Sequence, residues 1–170
     1  MSFKNYLEMS GIDSASTDHI EFKKEGNYLY YSFKDGITTY NVTFKSLNPD
    51  IEFQTLSGGI SFDKQDFIKE ITGHAFLVDF TGSRGFNTTN EKGGGATKIY
   101  SQVLLAIKKI IQDYNAKIIL FNPREPAMNL IYTKFAKSYL SDWKMLKGVD
   151  GMDNENVFVF MRNSVFDLLS

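Results

Sequence analysis

The first half of the chain alternates between apolar and polar residues and is interrupted by turn residues. Three runs rich in aromatic and β-branched residues span 20–23, 28–33 and 38–44. They are separated by 25–27, which contains Gly26, and by the pair Asp35 and Gly36. Short glycine-containing turns between alternating segments are typical of β-hairpins, so the pattern predicts an antiparallel meander. With a further strand at 51–56, the meander occupies 19–56, and 1–18 is predicted to be an arm or short helix.

The second half carries helical periodicity between compact apolar runs. Phe67, Ile68 and Ile71 fall at helical spacing and predict a short helix that begins at Ser61 or Asp63. The run 75–80 is too apolar for an edge and predicts a central strand. The remaining predicted elements are a long amphipathic helix at 96–114, a strand at 117–121, a helix at 126–139 and strands at 143–146 and 156–161.

The order of these elements predicts the fold class. No repeat, low-complexity segment or linker divides the 170 residues, so one domain spanning 1–170 is the economical interpretation. A meander followed by strand, loop, helix, strand, helix and two strands predicts an α/β (α+β) fold. Its central sheet is expected to be mixed and largely antiparallel, with helices packed on it.

A polar, glycine-rich segment at 81–95 joins the predicted central strand to the long helix. Unpaired N–H groups and the helix dipole favour an anion at a helix amino terminus. Gly93, Gly94 and Gly95 have no Cβ and would let a phosphate approach the backbone. The alternative is a flexible loop before an ordinary helix. Lys98 breaks both the P-loop order and the dinucleotide-binding glycine pattern.

The succession of strand, glycine loop, helix, strand and helix resembles the GCN5-related N-acetyltransferase (GNAT) family. In that family a loop of pattern Gln/Arg-x-x-Gly-x-Gly/Ala precedes the long helix, and Gly94 and Ala96 match its last two defined positions. The resemblance covers residues 75–162 and implies that this half of the chain binds the cofactor. Glu91 departs from the pattern, because the family has a cationic or amide side chain there.

The resemblance implies a GNAT-like, acyl-CoA N-acyltransferase fold and acetyl-CoA as co-substrate. Phe80 and its neighbours would pair with the pantetheine arm. The pyrophosphate would be held by the backbone amides of Gly93, Gly94, Gly95 and Ala96 and by the side chain of Thr97.

Two residues are candidates for acid and base chemistry. By the resemblance, Tyr132 would protonate the departing thiolate, although it could equally be a core residue of its amphipathic helix. Asp79 is the best candidate for the general base, because it lies near the end of the central strand on the face opposite Val78 and Phe80. A carboxylate that caps the following loop is the alternative for Asp79.

The first functional hypothesis is therefore an N-acetyltransferase that passes the acetyl group from acetyl-CoA to an unknown amine by direct attack. The alternative is a non-catalytic GNAT-fold binding or assembly protein, such as a phage accessory or structural component. In that case a protein partner or a second copy would bind the aromatic meander, where Tyr28, Tyr30, Tyr31 and Phe33 are predicted to cover both strand faces. Base stacking of a nucleic acid on these rings is a third, weaker possibility.

Composition narrows these hypotheses. The formal net charge of −1, from 19 basic and 20 acidic residues, argues against a nucleic-acid partner. The absence of cysteine excludes disulfides, thiolate metal sites and thiol catalysis. His19 and His74 stand apart from other ligand types, so we expect no metal site and place both at strand ends. With neither a signal sequence nor an apolar membrane span, we expect a cytoplasmic protein, or a virion-associated one if phage-encoded.

Overall fold

The computed structural model describes residues 16–48, 65–82, 85–86, 95–121, 140–147 and 158–169. The strands are β1 (Lys23–Glu25), β2 (Tyr28–Asp35), β3 (Thr38–Ser46), β4 (Ala75–Gly82), β5 (Gly85–Phe86), β6 (Ile118–Phe121), β7 (Trp143–Lys147) and β8 (Phe158–Arg162). The helices are α1 (Gln65–Ile71), α2 (Gly95–Tyr114) and α3 (Asn163–Phe166), and a 3₁₀ turn (Asp167–Leu169) follows α3.

The strands form one sheet in the order β1-β2-β3-β4-β6-β8-β7, and the short β5 pairs with β4. Every neighbouring pair is antiparallel except β4 and β6, which run parallel and are joined through α2. The predicted fold class is thereby confirmed: the sheet is mixed and largely antiparallel, and helices pack on it. The predicted strand 51–56, the start of α1 at Ser61 or Asp63, and the helix 126–139 lie outside the described residues.

The meander forms because glycine permits its tight turns. Gly26 and Gly36 have positive φ angles of 57° and 63°, in the left-handed region that glycine adopts without steric cost. β2 lies between these two turns and pairs with β3, from Tyr28 opposite Lys45 to Asp35 opposite Thr38. Both strands extend two residues beyond their predicted ends at 33 and 44. The ladder between them continues up to the turn at Gly36, and at the other end of β3 Ser46 still pairs with Phe76 of β4.

The prediction of the first strand at 20–23 was wrong. The strand begins only at Lys23, because the chain turns before it and the Ile20 N–H donates to the Thr17 carbonyl at 3.0 Å. Ile20 is buried in the core that covers α2, and Phe22 packs against the same core. Ile20 and Phe22 are therefore apolar because they pack in the core beneath α2, and not because they belong to a strand of the sheet.

Alternation along the strands gives the sheet two different faces. The α2 face carries the larger core, which contains alternate residues of β2, β3 and β4 together with the apolar side of α2. Its fully buried members include Tyr40, Phe44, Phe80, Ile99 and Phe121. Complete burial of such side chains contributes about 1.5–3 kcal/mol each, which is why this face dominates the stability of the sheet.

The opposite face carries a second, smaller core under α1 and α3. Its buried residues include Phe67 and Ile71 from α1, Ile118 and Leu120 from β6, and Val165 from α3. This core lies over the β4, β6 and β8 side of the sheet. The described helices therefore cover both faces there.

Strand directions define two ends of the sheet. The end at which β4 and β6 begin is called the lower end. The end at which both strands stop and α2 starts is called the upper end. At the lower end the His74 carbonyl accepts the Lys117 N–H at 2.8 Å, and His74 Nδ1 lies 3.2 Å from the Tyr114 carbonyl. Arg162 Nε donates to the Ala116 carbonyl at 2.9 Å. These bonds close the lower end around the last turn of α2.

Candidate binding site at the upper end of the sheet

Strand β4 extends beyond β6 at the upper end. The parallel ladder between them ends where Val78 pairs with Phe121, whereas the ladder of β4 with β3 continues to Gly82. On the β6 side, the last two residues of β4 pair with β5. Asp79 and Phe80 lie between these two ladders, and no strand of the described residues pairs with them on that side. We call this two-residue stretch the β4 gap.

The two residues of the β4 gap face opposite sides of the sheet. Phe80 is buried in the α2-facing core and stacks on Tyr40 with ring centroids 5.6 Å apart. Asp79 is half-buried on the other face, as its position in the strand predicts, and its Oδ1 accepts the Phe80 N–H at 2.9 Å. Both residues lie within β4, so this bond does not reach the loop that follows the strand. A ligand that pairs with the Phe80 N–H has to displace the Asp79 carboxylate.

The anion site was predicted at the first turn of α2, and the structure gives the bounds of that helix. The helix begins at Gly95, one residue earlier than predicted, so Gly95, Ala96 and Thr97 occupy its first turn. Their backbone N–H groups are among the first four of the helix, which have no partner in the preceding turn. The crossover from β4 through α2 to β6 puts this turn at the same end of the sheet as the β4 gap.

The other predicted site residues cannot be placed in this arrangement. Gly93, Gly94 and Tyr132 lie outside the described residues, as does Glu91. Of the predicted site, the structure thus gives the positions of Asp79 and Phe80 in the strand and of 95–97 at the start of the helix.

A cavity of about 530 Å³ lies beside the start of α2, between that helix and β2. Its volume falls in the range of small-molecule sites. A smaller cavity, of about 210 Å³, lies at the lower end beside the turn between β1 and β2. The larger cavity, which we call the α2–β2 cavity, is lined by His19, Tyr31, Phe33, Lys34, Asp35, Ile99, Ser101 and Gln102.

A hydrogen-bond network forms the polar part of the α2–β2 cavity. The Tyr31 hydroxyl donates to Gln102 Oε1 at 2.8 Å, and His19 Nε2 lies 3.3 Å from the same oxygen. Burial raises the pKa of the Tyr31 hydroxyl, so this group remains a donor throughout the physiological range. Both contacts use the carbonyl side of Gln102, and its amide N–H groups have no partner within the described part of the chain.

Sequence reasoning missed Gln102 and Asp35 and placed His19 merely at a strand end. A signal for Gln102 exists in the helix pattern: it lies three residues after Ile99 and four before Ala106, on the side of α2 that is otherwise apolar. Asp35 has no comparable signal, because an aspartate before glycine is an ordinary turn residue.

Within the described ranges, no group of three or more histidine, aspartate or glutamate residues could hold a metal ion. None of the helices described here has the length and apolar character needed to cross a membrane.

Comparisons with known proteins give a distant likeness in fold. No family model matches the chain, and no curated protein matches it significantly. Among solved structures, it is similar to that of AAC(6')-Ib in complex with ribostamycin and coenzyme A. The TM-score is 0.41 at 13% identity, over 83% of this chain and 67% of that one. A likeness at this level concerns the fold alone and carries no inference about activity, substrate or cofactor.

Proposed function

We propose that the protein binds acetyl-CoA at the upper end of the sheet and transfers the acetyl group to an amine. The observation that carries the proposal is the β4–β6 pair. It is the parallel pair of the described sheet, it is crossed by α2, and β4 continues for four residues after its ladder with β6 ends. Ligands of sheets with such crossovers bind outside the carboxyl ends of the strands, next to a helix amino terminus.

The two parts of this end suit the two parts of the cofactor. Backbone N–H groups of the first turn of α2 attract a diphosphate, because they carry the positive end of the helix dipole. We assign this role to Gly93, Gly94, Gly95 and Ala96, with the Thr97 side chain. On the β6 side of the β4 gap no strand of the described residues is paired, so the amides of an extended pantetheine arm can form hydrogen bonds there once the Phe80 N–H is released from Asp79.

The proposed reaction is a direct transfer. The amine nitrogen attacks the thioester carbonyl, a C–N bond forms and the C–S bond breaks. When the cofactor binds, the pantetheine arm displaces the Asp79 carboxylate from the Phe80 N–H. The proposal assigns to this carboxylate the acceptance of the one proton that the amine gives up. The departing thiolate takes a proton from the hydroxyl of Tyr132.

Cofactor binding is tested by calorimetric titration of the full chain with acetyl-CoA. We expect saturable heat for the natural protein and weaker binding for Ala96→Glu, because a carboxylate in the first turn repels the diphosphate. The same negative charge interacts favourably with the positive end of the helix dipole. Loss of the helix would therefore not explain weaker binding by this variant. Gln112→Glu, which adds an equal charge in the last turn of α2, is the matched control. If the natural protein gives no heat at millimolar acetyl-CoA, the proposal is wrong.

Turnover is tested separately, by following free thiol released from acetyl-CoA in the presence of primary amines. We expect Tyr132→Phe and Asp79→Asn each to lower kcat by about 10²-fold or more, with cofactor affinity retained. Equal activity in the Tyr132→Phe protein would remove that residue from the mechanism. Binding of acetyl-CoA without turnover of any amine would favour the non-catalytic alternative.

One observation favours that alternative, a binding or assembly protein. Tyr28 and Tyr30 stack on the face of β2 away from α2, with centroids 6.0 Å apart, and Tyr28 is 37% exposed. Tyr31 and Phe33 face the core instead, so the exposed aromatic surface is smaller than the sequence predicted. A stable oligomer or complex that dissociates on Tyr28→Ser substitution, as measured by light scattering, would support this function.

A further inference from the structure

The α2–β2 cavity contains a carboxylate that has no partner among the residues that the structure describes. Alternation along β2 puts Tyr31, Phe33 and Asp35 on the same side of the strand, facing α2, and all three line the cavity. Asp35 is half-buried, and its carboxylate forms no hydrogen bond or ion pair within the described residues. A partly desolvated carboxylate is more stable when a cation pairs with it, so its position favours a positively charged ligand.

The walls beside Asp35 are aromatic and apolar. Tyr31 and Phe33 stack on each other with centroids 5.7 Å apart, and the fully buried Ile99 faces them from α2. Aromatic faces attract cations through the ring quadrupole, and they also cover methylene groups. A ligand with an ammonium group on a short carbon chain matches both features.

Other charges near the cavity permit this occupant. Lys34 also lines the cavity, but alternation puts its side chain on the other face of β2 and it is exposed, so it reaches the cavity only at the rim. At the inner end, the unpartnered amide N–H groups of Gln102 are available to a polar atom of the ligand. The Tyr31 oxygen, whose proton is given to Gln102, can still accept a hydrogen bond.

The α2–β2 cavity lies at the same end of the sheet as the β4 gap. Asp35 pairs with Thr38 at the start of β3, and Tyr40, two residues later, pairs with Gly82 at the end of β4. A row of stacked rings runs across the three strands, from Phe33 through Tyr40 to Phe80. The cavity thus shares α2 with the proposed cofactor site, and β3 lies between its β2 wall and β4.

We infer that the α2–β2 cavity binds a small alkyl amine, with its ammonium group on Asp35 and its carbon chain against Tyr31 and Phe33. Binding of the amine follows from the cavity alone. The cavity lies on the α2 face of the sheet and Asp79 on the opposite face, so the inference does not depend on the proposed acetyl transfer.

The test is a nuclear magnetic resonance titration of the full chain with n-butylamine hydrochloride at pH 7, with 1-butanol as the neutral analogue and sodium chloride at equal ionic strength. We expect saturable shifts for the amine at the Phe33 and Asp35 amides and at the side-chain amide of Gln102, and much smaller shifts for the alcohol. Equal shifts for both compounds, or amine shifts confined to other parts of the chain, would overturn the inference.

A pair of variants tests the role of the carboxylate. Asp35→Asn should raise the Kd for n-butylamine about tenfold, because it removes a charge-assisted hydrogen bond. Asp113→Asn removes an equal charge at the far end of α2, where Asp113 pairs with Lys109, and should leave the Kd unchanged. An unchanged Kd for Asp35→Asn would contradict the inference. If that variant does not fold, the shifts in the natural protein still decide the matter.

The same samples separate the two proposals. If the protein binds n-butylamine but not acetyl-CoA, the inferred amine site is supported and the proposed transferase function is wrong. If it binds acetyl-CoA but shows no amine shifts in the cavity, the proposed cofactor site is supported and the inferred amine site is wrong.

Discussion

The two ends of β4 use their polar groups differently. At the lower end, where β4 follows His74, hydrogen bonds from the backbone and from Arg162 tie the strands to the end of α2. At the upper end, β4 continues past β6, Gln102 keeps unpartnered amide donors within the described chain, and Asp35 has no partner there. Most polar groups described at the lower end bond to each other, whereas the upper end has two half-buried side chains whose polar atoms lack partners among the described residues.

Polar side chains without partners indicate where a ligand can bind in this protein. A buried polar group without a partner costs free energy, so it persists where a ligand or a mobile water completes it. At the lower end most described donors and acceptors bond to each other, and Asn163 Oδ1 is the buried side-chain atom of the described residues that has no hydrogen-bond partner. Substitutions at the lower end should therefore affect stability, and those at the upper end should affect binding.

The largest expected effect comes from removing the same apolar side chain at each end. Ile118→Ala at the lower end should reduce the free energy of unfolding by about 2–5 kcal/mol, because Ile118 is fully buried in the smaller core. Ile99→Ala should cost less, since Ile99 lines a cavity that already exists and that water can enter. Urea unfolding measures both, and an equal or larger cost for Ile99→Ala would break the comparison.

The next effect is that of Arg162. Its Nε donates to the Ala116 carbonyl at 2.9 Å, and its guanidinium lies 5.2 Å from the centre of the Trp143 ring. Arg162→Met should lower the free energy of unfolding by about 1.5–3 kcal/mol, because it removes a charged hydrogen bond and leaves a carbonyl without its donor. Arg162→Lys, which keeps the charge but not the planar donor, should recover only part of the loss in urea unfolding.

A smaller effect is expected for Tyr31→Phe at the upper end, about 0.5–1.5 kcal/mol for one neutral hydrogen bond. The folded-state pKa of Tyr31 is raised by burial, so its stabilising contribution is complete below pH 10 and is lost as the pH rises through the folded-state value. The natural protein should lose stability above pH 10 more steeply than the variant. Parallel stability curves from pH 8 to 11 would contradict this assignment.

The smallest effect is predicted at the lower end. Lys117 lowers the pKa of Glu70, chiefly through its hydrogen bond to the carboxylate and to a lesser extent through its positive charge. A lowered folded-state pKa contributes stability above the unfolded-state value, and this contribution is lost as the pH falls through the folded-state value. Glu70→Gln should therefore be slightly destabilising at pH 7 and less destabilising at pH 3. Thermal unfolding at both pH values checks this, with Asp66→Asn on the same helix as the control.

Much of the fold could be predicted from local patterns. The turns at Gly26 and Gly36, the buried strand beginning at Ala75 and the helix ending at Tyr114 each depend on residues close in sequence. The first strand was misplaced because Ile20 and Phe22 are apolar for a distant reason, their contact with the core that covers α2. Periodicity records that a residue is buried and not which element buries it.

The candidate site divides in the same way. The glycine run before α2 and the position of Asp79 beside Phe80 could be identified from the sequence, because a strand, a loop and a helix are consecutive there. The α2–β2 cavity could not, because Asp35 and His19 are far in sequence from Gln102 and neither belongs to a motif.

The sequence by itself determined the kinds of element, most of their boundaries and the mixed sheet with helices packed on it, since alternation, helical spacing and glycine turns act over a few residues. Only the tertiary structure decided that β4 extends beyond β6, that Asp79 caps the Phe80 N–H, and that Asp35 and Gln102 share a cavity. Those features depend on strand register and on contacts between residues up to about 80 positions apart, such as His19 and Gln102. Side-chain identity limits such contacts, but packing of the whole chain selects among them.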